Sequence, residues 1–143
     1  MKIEGLRSPH VKTKGLAYFA RMVDKARLHA QGKMPPDYAE NIGTGFDKRC
    51  CDFLKIDYAA FRDRALAGGS DEEILDWVYE HSRRPTEEEV EVWSEFMRKR
   101  GWNDEASERV TFRLVEAGLG DRTDIITMFG FIDLDEGRDP AKP

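Results

Sequence analysis

Apolar side chains recur at three- and four-residue steps along most of the chain, the spacing that lines one face of an α-helix. Between Leu16 and Gln31, residues Leu16, Phe19, Val23, Ala26 and Ala30 fall on one stripe, preceded by Gly15 and followed by Gly32 as a C-cap. Pro35, Pro36 and the run Gly43-Thr44-Gly45 read as a loop. Short helices are predicted over Asp47–Lys55, burying Phe53 and Leu54, and over Tyr58–Ala67, stopped by Gly68-Gly69. Ser70-Asp-Glu-Glu73 and Thr86-Glu-Glu-Glu89 are capping boxes, in which side chain and backbone satisfy each other's free groups. Ile74, Leu75, Trp77 and Val78 supply the apolar side of the first of these helices, and Val90, Trp93 and Met97 that of the second.

Gly101 ends that second helix, Asn103 is expected to cap the next, and Ala106, Val110, Leu114 and Ala117 align before Gly118. Asp121–Phe129 reads as a last short helix, although Ile125–Phe131 is short enough to fit either period. The expected fold is therefore all-α: a compact single-domain bundle of six to seven short helices over residues 1–132. Residues 133–143, acidic and Pro-ended, are expected to form a loose tail.

A chain of 143 residues fits one domain, and 40% hydrophobic against 36% charged residues leaves enough for one core. This balance excludes a membrane-spanning chain, a disulfide scaffold, a collagen-like chain and a wholly disordered tail. Met1–His10 has no apolar core of a secretory signal, so a cytoplasmic setting is expected. Cys50 and Cys51 are adjacent, a poor geometry for a mutual disulfide and a poor zinc spacing, which predicts reduced thiols packed in the core. The alternative is a reactive thiolate favoured by Lys48 and Arg49.

Net charge is −5, but residues 1–69 carry +5 and residues 70–143 carry −10. Either the basic segment meets an anionic partner or the two halves attract each other, and the acidic total favours the second and argues against nucleic acid.

Leu6-Arg7-Ser8-Pro9, Tyr18-Phe-Ala-Arg-Met-Val-Asp-Lys-Ala-Arg-Leu-His29, Gly32 and Asp37-Tyr38 resemble a family of small bacterial proteins catalogued only as a domain of unknown function. Gly101-Trp102-Asn-Asp-Glu-Ala-Ser-Glu-Arg109, Asp121-Arg-Thr-Asp124 and Phe131-Ile-Asp133 extend the resemblance over nearly the whole chain. It implies a bacterial origin and a stand-alone domain, and it brings no activity, cofactor or catalytic residue with it.

The first helix holds the densest chemistry. At 100° per residue, Tyr18, Met22 and His29 border the apolar stripe, with Lys25 just beyond, while Arg21, Asp24 and Leu28 face away. A row of phenol, ammonium and imidazole beside a groove suits a phosphate or carboxylate, and His29 could serve as a general base. The plainer reading is a set of border residues with packed stems and wet tips. Leu28 matters only if the helix is buried on both sides, within the domain or in a homodimer.

Arg113 falls close to the Val110/Leu114 stripe and needs a partner such as Glu116, Asp121 or Asp124, unless it faces Arg21 or Lys25 across a cleft and holds an anion. His10, His29 and His81 form no metal-binding spacing, so no metal or other cofactor is expected. Two functions remain. One is a binding domain for a partner protein or small anionic ligand. The other is an enzyme on a small anionic substrate, with His29 as base, Arg21, Lys25 and Arg113 as anion holders, and Tyr18 as donor.

Overall fold

A computed structural model describes residues 1–142. A two-residue antiparallel hairpin, β1 (Lys12–Thr13) and β2 (Leu16–Ala17), precedes α1 (Phe19–Ala30). There follow α2 (Pro36–Ala39), α3 (Phe46–Leu54), α4 (Tyr58–Leu66), α5 (Asp71–His81), α6 (Glu87–Lys99), α7 (Ser107–Glu116) and α8 (Met128–Asp135). The class is all-α, as the spacing predicts. Eight helices are present among the described residues rather than six or seven, because Pro36 opens one extra turn in the segment read as loop. None of them is long and apolar enough to cross a membrane.

The central element is α1. Its stripe of Phe19, Met22, Val23 and Ala26 packs with Leu16, Cys50, Leu54, Phe61, Ile74, Leu75, Val78, Trp93 and Met97 in one core. Eight of its twelve residues are buried, so it is covered on both sides. The N-terminal arm covers the second side: Gly5 lies against Leu28, where a Cβ would stand 3.5 Å from Leu28 Cδ2. Arg7 ties the arm down by donating to Asp24 at 2.9 Å and to Asp71 at 2.6 Å. Leu28 is thus buried within the chain itself. The tight turn at Lys14-Gly15, both at positive φ, makes the hairpin and takes Leu16 out of the helix predicted to contain it. The indole of Trp93 and the hydroxyl of Ser94 then bond the hairpin backbone, at Ala17 O and Gly15 O.

Both predicted capping boxes are present, with Ser70 accepting from Glu73 N–H and Thr86 from Glu89 N–H. Two further predicted boundaries are wrong. Asn103 does not cap α7; it sits in a turn at φ +47°, and Asp104 organises the junction by accepting from Gly101 N–H and Ala106 N–H. The last helix is α8, not 121–129. Thr127 caps it by accepting from Gly130 N–H at 3.0 Å, and Arg122 holds the preceding loop by donating to Asp124 and Asp139.

The expected loose tail is also corrected. Asp133 to Asp135 belong to α8, and Glu136 is 2% exposed because Arg21 and Tyr38 reach it. A smaller apolar cluster of Val110, Leu114 and Ile125, backed by Met128, Phe131 and Leu134, packs α7 onto α8.

Candidate functional site over the first helix

An open cleft of about 810 Å³ lies between α1, α2 and α3 on one side and α7 and α8 on the other. Its floor is built on α1. Tyr18, Arg21 and Lys25 stand at i, i+3 and i+7, steps that keep side chains on one side of a helix. All three are buried at the floor, which corrects the placing of Arg21 on a solvent side.

Each polar group of the floor is partnered. Asp47, fully buried in the first turn of α3, accepts from the Tyr18 hydroxyl at 2.5 Å and from Lys25 Nζ at 3.0 Å. Its second oxygen accepts from Gly43 N–H at 2.9 Å. Lys25 Nζ also stands 3.4 Å from the Tyr18 oxygen. Arg21 grips Glu136 with two nitrogens, at 2.8 and 2.6 Å, and donates to Arg7 O. The Tyr38 hydroxyl donates to the same carboxylate at 2.8 Å, and Arg138 reaches it as well.

This burial alters the chemistry. Loss of water pulls Lys25 below the ordinary lysine value, against the opposing pull of Asp47. Burial and the Asp47 charge push the Tyr18 phenol well above its usual range. Glu136 stays below the usual glutamate value: its hydrogen bond and charge pairing with Arg21 outweigh burial, which acts the other way and is the largest single influence. Tyr18 itself sits at φ +79°, a left-handed conformation rare for a residue with a side chain, at the N-cap of α1. Its ring packs edge-on against Phe46, and that ring in turn against Phe129.

The walls combine apolar and charged groups. Phe46, Phe131, Ile132 and Met128 supply the apolar part. Arg49 of α3, Arg100 at the end of α6, and Arg109 and Arg113 of α7 supply cations. Arg109 and Arg113 are one helical turn apart. Arg113 is exposed rather than near the core, because it points to the cleft beside Leu114, and it pairs with Glu116 at 3.2 Å. Arg100 pairs with Asp104 at 3.4 Å. Arg49 and Arg109 are exposed, and among the described residues neither has a carboxylate within ion-pair distance. Arg49 lies over the Phe96 ring instead, 5.3 Å from its centre. Carboxylates also line the cleft: Asp37, Glu105 and Asp135, besides the paired Glu116 and Glu136.

Tyr18, Arg21, Lys25 and Arg113 therefore line one cleft. His29 does not. It is exposed near the end of α1 and lines none of the cleft, since the four residues from Lys25 carry it about 6 Å further along the same side of the helix. The structure thus does not bring His29 to the cleft that Arg113 lines. Sequence reasoning missed Asp47, Glu136, Arg49 and Arg109. The i,i+4 pair Arg109/Arg113 was the one readable signal among them.

The thiols are plain core groups. Cys50 is completely buried, Cys51 nearly so, and Cys51 faces the Met22 sulfur at 3.9 Å. Burial pushes the Cys51 thiol up to about 12 and Cys50 higher than its usual value. Lys48 pairs with Asp52 and Arg49 points to the cleft, so neither promotes a thiolate.

No curated protein matches the chain. A family described as "Domain of unknown function (DUF5069)" matches residues 3–138, nearly its whole length, and the chain belongs to that family.

Proposed function

We propose that this is a binding domain for a small anionic ligand, seated in the cleft over α1. One observation carries the reading: Arg49 and Arg109 face the cleft and, among the described residues, have no carboxylate of their own, beside Arg100 and Arg113. Arginine left free at a concave surface offers a planar fork of donors suited to carboxylate or phosphate. The floor is already ordered, because Asp47 and Glu136 fix Lys25, Tyr18 and Arg21 before any ligand arrives, which keeps the ordering cost of binding low. Asp37, Glu105 and Asp135 provide acceptors for hydroxyl or amino groups on the same ligand. The resemblance in sequence and the two free cysteines favour a bacterial, cytoplasmic setting.

A thermal-shift screen against phosphorylated metabolites, nucleotides, and di- and tricarboxylates tests this. The expected result is a dose-dependent rise in Tm from one class of anion. It is lost in Arg49→Ala/Arg109→Ala, a variant whose changes lie on exposed side chains. No rise from any anion turns the reading to a partner protein, for which Phe112 and Val115 on α7, 60% and 62% exposed, provide an apolar surface.

A further inference from the structure

Lys25 is placed as a reacting amine as well as a charge. It is one of nine lysines in the chain, and it is the one that is buried. It nevertheless lines the cleft. Its nitrogen touches a fully buried carboxylate, Asp47, at 3.0 Å, and stands 3.4 Å from the Tyr18 hydroxyl, which also lines the cleft. An amine, a proton acceptor and a relay hydroxyl thus meet at the floor of the cleft that Arg49, Arg100, Arg109 and Arg113 also line.

We propose that Lys25 forms a Schiff base with a small carbonyl compound that carries a carboxylate or phosphate. The proposal rests on the anion-binding reading of the cleft and adds the chemistry at its floor.

The proton count closes on the residues present. The Lys25 ammonium passes one proton to Asp47, and the freed nitrogen pair attacks the carbonyl carbon, forming the C–N bond. The carbonyl π pair moves to oxygen, which takes that proton through the Tyr18 hydroxyl and becomes the carbinolamine hydroxyl. The nitrogen then returns its second proton to Asp47. Its lone pair expels the hydroxyl, which leaves with that proton as water. The product is a protonated imine beside an ionised Asp47, so the buried pair keeps its charges. No oxidant or reductant is required. Lys25 and Tyr18 are the catalytic residues, and Asp47, behind them, is the proton store.

Wild-type protein is incubated separately with glyoxylate and glyceraldehyde 3-phosphate, treated with sodium cyanoborohydride, and mapped by peptide mass spectrometry. The expected result is one reduced adduct per chain, on Lys25 in excess over each of the other eight lysines, with at least one of the two probes. The adduct is lost in Lys25→Arg, which keeps the charge opposite Asp47. Labelling spread over the exposed lysines, or none on Lys25 with either probe, overturns the proposal. Glycolate and inorganic phosphate, which have the anion but no carbonyl, separate the two ideas in the thermal-shift assay. A shift from either without Lys25 labelling leaves the anion site standing and removes the Schiff base. Lys25 labelling with no shift from any anion does the reverse.

Discussion

Asp47 shows how much of the site rests on a single side chain. It is fully buried and receives three donors, from Tyr18, Lys25 and Gly43. Taking away its charge leaves the Lys25 ammonium in a dry pocket opposite a neutral amide. Breaking a buried ion pair on one side costs about 3–5 kcal/mol, far more than the pair contributes net. Asp47→Asn is therefore expected to lose stability of that order in urea denaturation, whereas Asp52→Asn, at an exposed pair with Lys48, is expected to lose about 0–1 kcal/mol. Equal losses at the two sites would show that the floor is not dry.

The same residue marks where the sequence stopped being readable. Tyr18, Lys25 and Arg113 were legible because helix periodicity fixes neighbours within a turn or two. Asp47 and Glu136 were not, since their partners lie 22 and 115 residues away and no local pattern encodes that pairing.

At the level of elements, local chemistry was read well wherever it was self-contained. Ser70/Glu73 and Thr86/Glu89 close on themselves within four residues, and both helices start where they should. The errors lie at junctions made by distant contacts. The clearest is the one after Gly101, where Asn103 does not cap α7. Gly101, read correctly as the end of α6, joins α6 to α7, and its neighbour Arg100 accepts from Met128 N–H at the start of α8. Its φ is +108°, and a Cβ there would stand 2.5 Å from Val110 Cγ2 and 3.1 Å from Met128 N.

The glycine is needed for its conformation and for the close approach of three helices. Gly32 after α1 also has a positive φ, +69°, but a Cβ there would meet nothing within 4 Å. Gly32→Ala is expected to cost about 1 kcal/mol of backbone strain alone. Gly101→Ala adds crowding against atoms that include backbone, for a total of about 2–4 kcal/mol. Urea midpoints of the two variants, at unchanged m-value, make the comparison. If Gly101→Ala costs no more than Gly32→Ala, the three helices do not meet closely there.

For the whole molecule, the uneven charge along the sequence finds its use inside the fold. Arg7 with Asp71, Lys14 with Asp76, His10 with Asp133 and Arg21 with Glu136 each join the basic first half to the acidic second half. Three of these pairs are at or near the surface and contribute little each. The fourth, Arg21–Glu136, is almost completely buried and links the central helix to the end of α8.

It also sets a pH dependence. Glu136 titrates below the usual glutamate value in the folded chain, so the unfolded chain binds more protons through the acid range. Its stabilisation is complete above the unfolded value of about 4.3 and is lost as pH falls toward the lower folded value. Glu136→Gln is expected to be less stable at pH 7, because Arg21 loses its charge partner. Its stability is also expected to fall less steeply than wild type from about pH 5 to pH 3. Asp133, where burial acts upward but hydrogen bonds from His10, Arg138 and Ser8 together hold it below its usual value, remains in the variant, so the acid slope shrinks without vanishing. Tm measured across this range separates the outcomes. Converging curves at low pH place the acid sensitivity in the Arg21–Glu136 link. A constant gap between the two would mean that Glu136 fills space in the fold without its charge being used.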